Sequence, residues 1–177
     1  RDMSVFEGSR LLRGKPGTKV TLTIIRGNAA EPHEVALTRE RASGPIVTSR
    51  MIGTTGYLRI ASFREGVADA VRTQAAELTK AGAKSLIVDI RRSAEGPLEN
   101  GIAAARLFVK SGTLAIKAGK GKPEPREPVA ARDGDGAITL PVSLLITTGT
   151  AGPAEIFAAA LLEAPDLTHR CSGQQSH

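Results

Sequence analysis

The stretch Thr147-Thr148-Gly149-Thr150-Ala151-Gly152-Pro153 separates two apolar segments, and this junction constrains the fold more than any other part of the chain. Before it runs Val142 to Ile146, mostly apolar and led in by Pro141, with the length of a buried strand. After it runs Ile156-Phe157-Ala158-Ala159-Ala160-Leu161-Leu162, a helix former throughout. Pro153 suits the first helical position, where its missing N–H and fixed φ cost little, and Glu155 then falls at the third, where its charge complements the helix dipole. The pattern predicts a sharp strand-turn-helix corner whose backbone amides and positive helix end face outward. In α/β folds such corners are where ligands and reacting groups collect.

The rest of the chain supplies layers around that corner. Ser4-Val5-Phe6-Glu7 has the capping-box form, and Gly14 can close the short helix it begins; Lys15-Pro16-Gly17 then reads as a turn. Val20, Leu22 and Ile24 alternate with threonines, and Val35 and Leu37 follow the Gly27-Asn28 turn, so two half-buried strands are expected. Segments 46–51 and 57–63 flank Gly53-Thr54-Thr55-Gly56, a hairpin with a four-residue loop. Ser62-Phe63-Arg64-Glu65 is a second capping box, opening a helix with Val67, Val71 and Leu78 on one face and Gly82 at its end. Leu86-Ile87-Val88 does not alternate, as in a strand covered on both faces, and it runs into Asp89-Ile90-Arg91, whose charges can pair to fix the next turn. Leu98, Ile102, Ala105 and Val109 mark another amphipathic helix. Thr113 to Lys117 reads as a short strand, 118–125 as a solvated basic surface loop, and Arg132 to Gly136 as a turn. The order of strands and helices predicts an α/β layer structure with mainly parallel pairing.

Composition removes several function classes. Aromatic residues make up 3% of the chain and Trp is absent, which argues against a base-stacking platform; the net charge of +6 is scattered over faces and loops, so no nucleic-acid partner is expected. Cys171 is the single cysteine, and His33, His169 and His177 lack ligand spacing, so neither a disulfide, a metal site nor a cofactor is expected. Asp133-Gly134-Asp135-Gly136 has the start of a calcium loop without its downstream ligands. No stretch is apolar for long enough to span a bilayer. Arg1-Asp2 opens in mid-pattern, so a preceding segment is expected and the sequence is silent on location.

Leu11 to Ile24 resembles the last helix and strand of the PDZ domain in carboxyl-terminal processing proteases, the S41 serine peptidases. Gly56-Tyr57-Leu58-Arg59-Ile60-Ala61-Ser62-Phe63, the block from Gly82 to Arg91 and the 147–156 corner are similar, in order, to that family's peptidase core. The resemblance implies two parts: residues 1–41, the end of a β-rich PDZ-like module, and 42–177, an α/β core of the ClpP/crotonase-like spiral type. It also implies peptide or protein C-terminal segments as partners, leaves a homo-oligomer open, and places such a protein in the periplasm, at the envelope or outside the cell.

The family's catalytic residues carry over poorly. Where its corner motif has the nucleophilic Ser, this chain has Gly152; the next position, whose N–H serves the oxyanion hole, is Pro153, which has no N–H. The second oxyanion donor belongs to an Asn-Pro-Gly-Gly turn that here reads Arg92-Ser93-Ala94-Glu95-Gly96-Pro97, leaving Gly96 as the possible donor beside a charged Glu95. The family's Lys base lies on a strand that 166–177 does not resemble. Losing such a nucleophile costs on the order of a million-fold in turnover, and one oxyanion donor roughly a hundred- to thousand-fold. The resemblance therefore implies a peptide-binding homologue with little or no proteolysis. The alternative is a working hydrolase with a displaced nucleophile, for which Thr150 is the candidate, although no base stands near it in sequence. A non-proteolytic acyl-group enzyme rests on architecture alone.

Overall fold

Alternation of apolar and threonine residues gives β1 (Lys19–Ile24), whose Val20, Leu22 and Ile24 face inward, and it pairs antiparallel with β2 (His33–Thr38) in a two-stranded sheet. A computed structural model describes residues 8, 11–25, 31–40, 44–118, 126–164 and 170–171, which fall into two units, Arg1–Gly44 and Pro45–His177. In the first unit, Gly17 adopts φ 84° in the Lys15–Thr18 turn, closed by Thr18 N–H donating to the Lys15 carbonyl at 3.1 Å. The Arg39 guanidinium ties that turn to its surroundings by donating to the Leu12 carbonyl (2.8 Å) and to the Lys19 carbonyl (3.1 Å). Leu11 and Leu12 are helical, while the Ser4–Glu7 capping box and the Gly27-Asn28 turn lie outside the described residues.

The second unit is built on a five-stranded sheet in the order β3-β4-β5-β8-β9. A hairpin of β3 (Val47–Ile52) and β4 (Thr55–Ile60) is antiparallel, whereas β4, β5 (Ser85–Asp89), β8 (Val142–Leu145) and β9 (Arg170–Cys171) run parallel. A separate pair, β6 (Thr113–Ala118) and β7 (Arg126–Ala130), is antiparallel. Leu86 and Val88 on β5, Leu58 and Ile60 on β4, and Val142 and Leu144 on β8 are all buried on one face, but Ile87 between the first two is only half-buried, so the expectation of a strand fully covered on both faces is corrected: the burial alternates.

Among the described residues three helices share one core with this sheet, and of these the first contacts its strands. Helix α1 (Val67–Lys80) packs on β3 and β4 through Val67, Val71, Ala75 and Leu78, each Val or Leu contributing roughly 1.5–3 kcal/mol by its burial. Helix α2 (Leu98–Ala105) packs against α1 and against α3 (Pro153–Leu162). Phe157 of α3 is fully buried, with its ring 5.6 Å from those of both Phe63 and Phe108, so an aromatic cluster anchors the helix that follows the corner. Gly101 lets α2 and α3 touch: a Cβ there would lie 2.1 Å from the Pro153 carbonyl oxygen.

Several local expectations are corrected. The hairpin loop is two residues, Gly53-Thr54, because Gly53 takes φ 58° at the first turn position and lets Thr55 pair with Ile52. Ser62 does not cap α1. It is buried and accepts from Arg64 Nε at 3.0 Å, while Gly66, at φ 82°, occupies the cap position without a side-chain bond. Helix α2 ends at Ala105 rather than reaching Val109, since the carbonyls of Arg106 and Leu107 accept from Gly136 and Ile138 N–H at 2.8 Å and turn the chain. The tail, whose sequence does not resemble the family's strand, contributes β9 beside β8. Strand β7 escaped the sequence reading, and most of the basic loop before it lies outside the described residues.

Candidate functional site

Strands β5 and β8 are parallel neighbours, so the loops leaving their carboxyl ends, 90–93 and 146–152, lie side by side. They are laced together. Thr147 Oγ1 accepts from Arg92 N–H (3.2 Å), Ala151 N–H donates to the Ser93 carbonyl (3.1 Å), and Thr150 Oγ1 donates to the Ile90 carbonyl (3.0 Å). Within the second loop Thr150 N–H donates to the Thr147 carbonyl at 2.8 Å and Thr147 N–H donates to Thr150 Oγ1 at 3.1 Å. The outward-facing amides expected of this corner are thus corrected for Thr150 and Ala151. Both are engaged inside, because the adjoining backbone carbonyls need donors.

At the end of the loop Gly152 has φ 59° and ψ −121°, a conformation outside the regions open to L-residues, and Pro153 begins α3 directly after it. Such strained strand-to-helix turns are how nucleophile-elbow enzymes expose a serine. Here the position carries no side chain, and its carbonyl accepts from Glu155 and Ile156 N–H at 3.1 Å. Thr150, the candidate alternative nucleophile, uses its hydroxyl as both donor and acceptor within the backbone of the two loops. Gly96 sits at φ 129° against the Phe63 backbone, where a Cβ would meet the Phe63 carbonyl oxygen at 2.0 Å. Glu95 beside it is exposed, and its carbonyl accepts from Phe63 N–H at 2.7 Å.

Beneath the corner lies a charged hub that the sequence disclosed only in part. Asp89 is 2% exposed at the end of β5. Arg91 donates to its Oδ1 from Nε (3.0 Å) and from the backbone N–H (2.9 Å), and to its Oδ2 from Nη2 (2.7 Å). Tyr57 Oη donates to Oδ2 as well, and Arg59 Nη1 lies 3.3 Å from Oδ1 while donating to the Asp89 carbonyl at 3.0 Å. Burial pushes the Asp89 carboxyl up, but the hydrogen bonds from Arg91 and Tyr57 and the charge of Arg59 outweigh it and hold the group at about 2. Burial, and the bond to that carboxylate, raise the Tyr57 hydroxyl; the carboxylate likewise raises Arg91. A carboxylate held this low and bonded at both oxygens is a poor proton acceptor near neutrality, so Asp89 organises the site rather than reacting in it.

The Asp89–Arg91 pairing was legible in the sequence, whereas Tyr57, Arg59 and Ser93 were not. Tyr57 and Arg59 share a face of β4 by the two-residue period, but only the parallel register, with Arg59 opposite Asp89, brings them to the carboxylate. Ser93 is fully buried and donates to the Ile60 carbonyl at 2.6 Å, fixing the 90–93 loop against β4. Above the hub opens a cleft of about 340 Å³ lined by Arg59, Asp89, Arg91, Arg92 and Thr147. Among the described residues no cluster of His, Cys, Asp and Glu is suited to a metal ion, and no helix is long and apolar enough to cross a membrane.

Residues 54–166, which contain both loops and the hub, match the family described as peptidase family S41. The chain belongs to the S41 peptidases. It is 33% identical over 172 residues to the carboxy-terminal processing protease CtpA of Bacillus subtilis, covering 94% of this chain and 35% of that one. To the carboxyl-terminal-processing protease of Synechocystis sp. it is 30% identical over 164 residues, or 90% of this chain and 38% of the relative. This S41 chain thus spans about a third of the length of these curated relatives. Among solved structures it is similar to a photosystem II D1 C-terminal processing protease, with a TM-score of 0.69 at 25% identity over 94% of this chain and 47% of that one. A peptidase structure from Parabacteroides merdae shares the fold, with a TM-score of 0.59 at 17% identity over 72% of this chain and 43% of that one.

Proposed function

We propose that this S41 chain belongs to a protein that binds peptide or protein C-terminal segments and has lost most or all proteolysis. The observation that carries the reading is the corner itself. The turn before α3 keeps a strained backbone at Gly152 and is followed at once by Pro153, so the place of a nucleophile has no side chain and the place of an oxyanion donor has no N–H. Gly96 remains as an oxyanion donor candidate in the neighbouring loop. A working hydrolase would need Thr150 as its nucleophile. Its hydroxyl proton points to the Ile90 carbonyl at 3.0 Å, which leaves no base to take it.

The same reading makes residues 1–41 the end of a PDZ-like module, to which a partner's C-terminus adds as a strand, and 42–177 a spiral core of the ClpP/crotonase type. It places the protein outside the cytoplasm, in the periplasm, at the envelope or secreted, with homo-oligomers allowed. The test is to titrate the whole protein into a labelled, unfolded polypeptide with a free C-terminus while following anisotropy and product formation together. Saturable binding with no products supports the reading; robust turnover overturns it.

A further inference from the structure

The geometry points to the cleft beside the corner as an anion subsite, in which Arg92 receives a carboxylate of the bound polypeptide; this deepens the peptide-binding reading and rests on it. Three guanidiniums and one carboxylate line the cleft, which leaves positive charge in excess. Asp89 cannot balance it further, since both its oxygens are taken by Tyr57, Arg59 and Arg91. The Arg59 and Arg91 guanidiniums are correspondingly held, Arg59 also by the Arg91 carbonyl at 2.7 Å. The Arg92 guanidinium is different: it has no hydrogen bond or ion pair among the described residues, and it is exposed on the cleft wall.

Its backbone supplies a second, independent observation. Arg92 is the one described non-glycine residue at positive φ, 58°, a conformation that costs an arginine roughly 1 kcal/mol or more. Two contacts impose it. Its N–H is held by Thr147 Oγ1 at 3.2 Å, and Gly149 approaches so closely that a Cβ there would lie 3.2 Å from the Arg92 Cα. A glycine would satisfy this turn with no strain. An arginine held there instead, unpaired and facing a cleft of about 340 Å³ beside two other guanidiniums, fits a ligand clamp. The planar fork of a guanidinium matches a carboxylate, and a polypeptide carries carboxylates at its C-terminus and on Asp or Glu side chains.

The test is a binding cycle by fluorescence anisotropy on the whole protein. Its three labelled peptides share one sequence without Asp or Glu: one with a free C-terminus, one amidated, and one amidated with a Glu introduced near its end. Each is titrated against the wild type, Arg92→Gln and Arg92→Gly; the glycine variant relieves the positive φ, so a folding defect does not obscure the result. The subsite predicts that the wild type prefers a carboxylate-bearing peptide by roughly tenfold or more and that both variants lose that preference. Recovery by the Glu peptide identifies a side-chain carboxylate as the ligand, and its failure to recover identifies the chain end. An acid-to-amide difference that is the same in all three proteins overturns the subsite while leaving peptide binding standing. No binding of any peptide overturns both.

Discussion

Replacing Asp89 with Asn removes one charge from the hub under the corner and puts an NH2 donor in place of one of the two oxygens that accept from Arg59, Arg91 and Tyr57. The carboxyl is held at about 2 against its usual 3.8. At roughly 1.4 kcal/mol per pH unit, the ionised group stabilises the fold by about 2 kcal/mol. Because the folded-state value is depressed, that contribution is fully present above 3.8 and is lost as pH falls through about 2. Stranding two guanidiniums around a neutral amide adds to the loss, so Asp89→Asn should destabilise the protein at pH 7 by about 2–4 kcal/mol. Urea unfolding followed by circular dichroism at pH 7, 4 and 2.5 reads this directly. With a denaturant slope of about 2 kcal/mol/M, the variant's midpoint should fall by about 1–2 M at pH 7, and the gap to the wild type should narrow towards pH 2.5. A variant as stable as the wild type at pH 7, or a gap independent of pH, would refute the placement of Asp89 as a buried, bonded carboxylate.

Gly101→Ala sets two effects in opposition: helix propensity favours Ala by about 1 kcal/mol, while overpacking against a backbone atom costs roughly 1–3 kcal/mol or more. With the new Cβ 2.1 Å from the Pro153 carbonyl oxygen, packing wins and the melting temperature should drop by several degrees; a rise would contradict the close approach of α2 and α3. Thr150→Val keeps the shape but removes both hydroxyl bonds of the loop, so it should cost about 1–2 kcal/mol in chemical denaturation and leave any background hydrolysis unchanged. Arg106→Ala removes the partner of the half-buried Asp135, whose Oδ2 accepts from Arg106 Nη1 at 2.6 Å and from Arg132 N–H at 2.8 Å. It should destabilise the 132–136 turn by about 1–3 kcal/mol, read as faster amide exchange there.

Features carried by local periodicity and backbone chemistry were legible in the sequence. The apolar run 86–88, the Val67/Val71/Leu78 face, the strand after Pro141 and the helix opening at Pro153 all lie where the pattern puts them. What failed did so for non-local reasons. Ser62 has the spacing of a helix cap, yet burial gave it to Arg64 and left the cap to Gly66. Val109 continues the helical pattern, yet pairing with 136–138 ended the helix early. At the site, the Gly152-Pro153 pair could be read directly, but the Tyr57-Arg59-Asp89 cluster depends on parallel register and Arg92's backbone on a contact with Gly149. Neither depends on anything within reach of a sequence window.

On the proposed reading, the corner before α3 keeps the strained turn of a peptidase but lacks its nucleophile and one oxyanion donor. The most direct measurement is the intact mass of an unfolded, C-terminally tagged polypeptide after prolonged incubation with excess whole protein. A single unchanged mass is expected, with the polypeptide recovered in complex. Truncation from the tagged end at enzyme-like rates, abolished by Thr150→Ala, would contradict it.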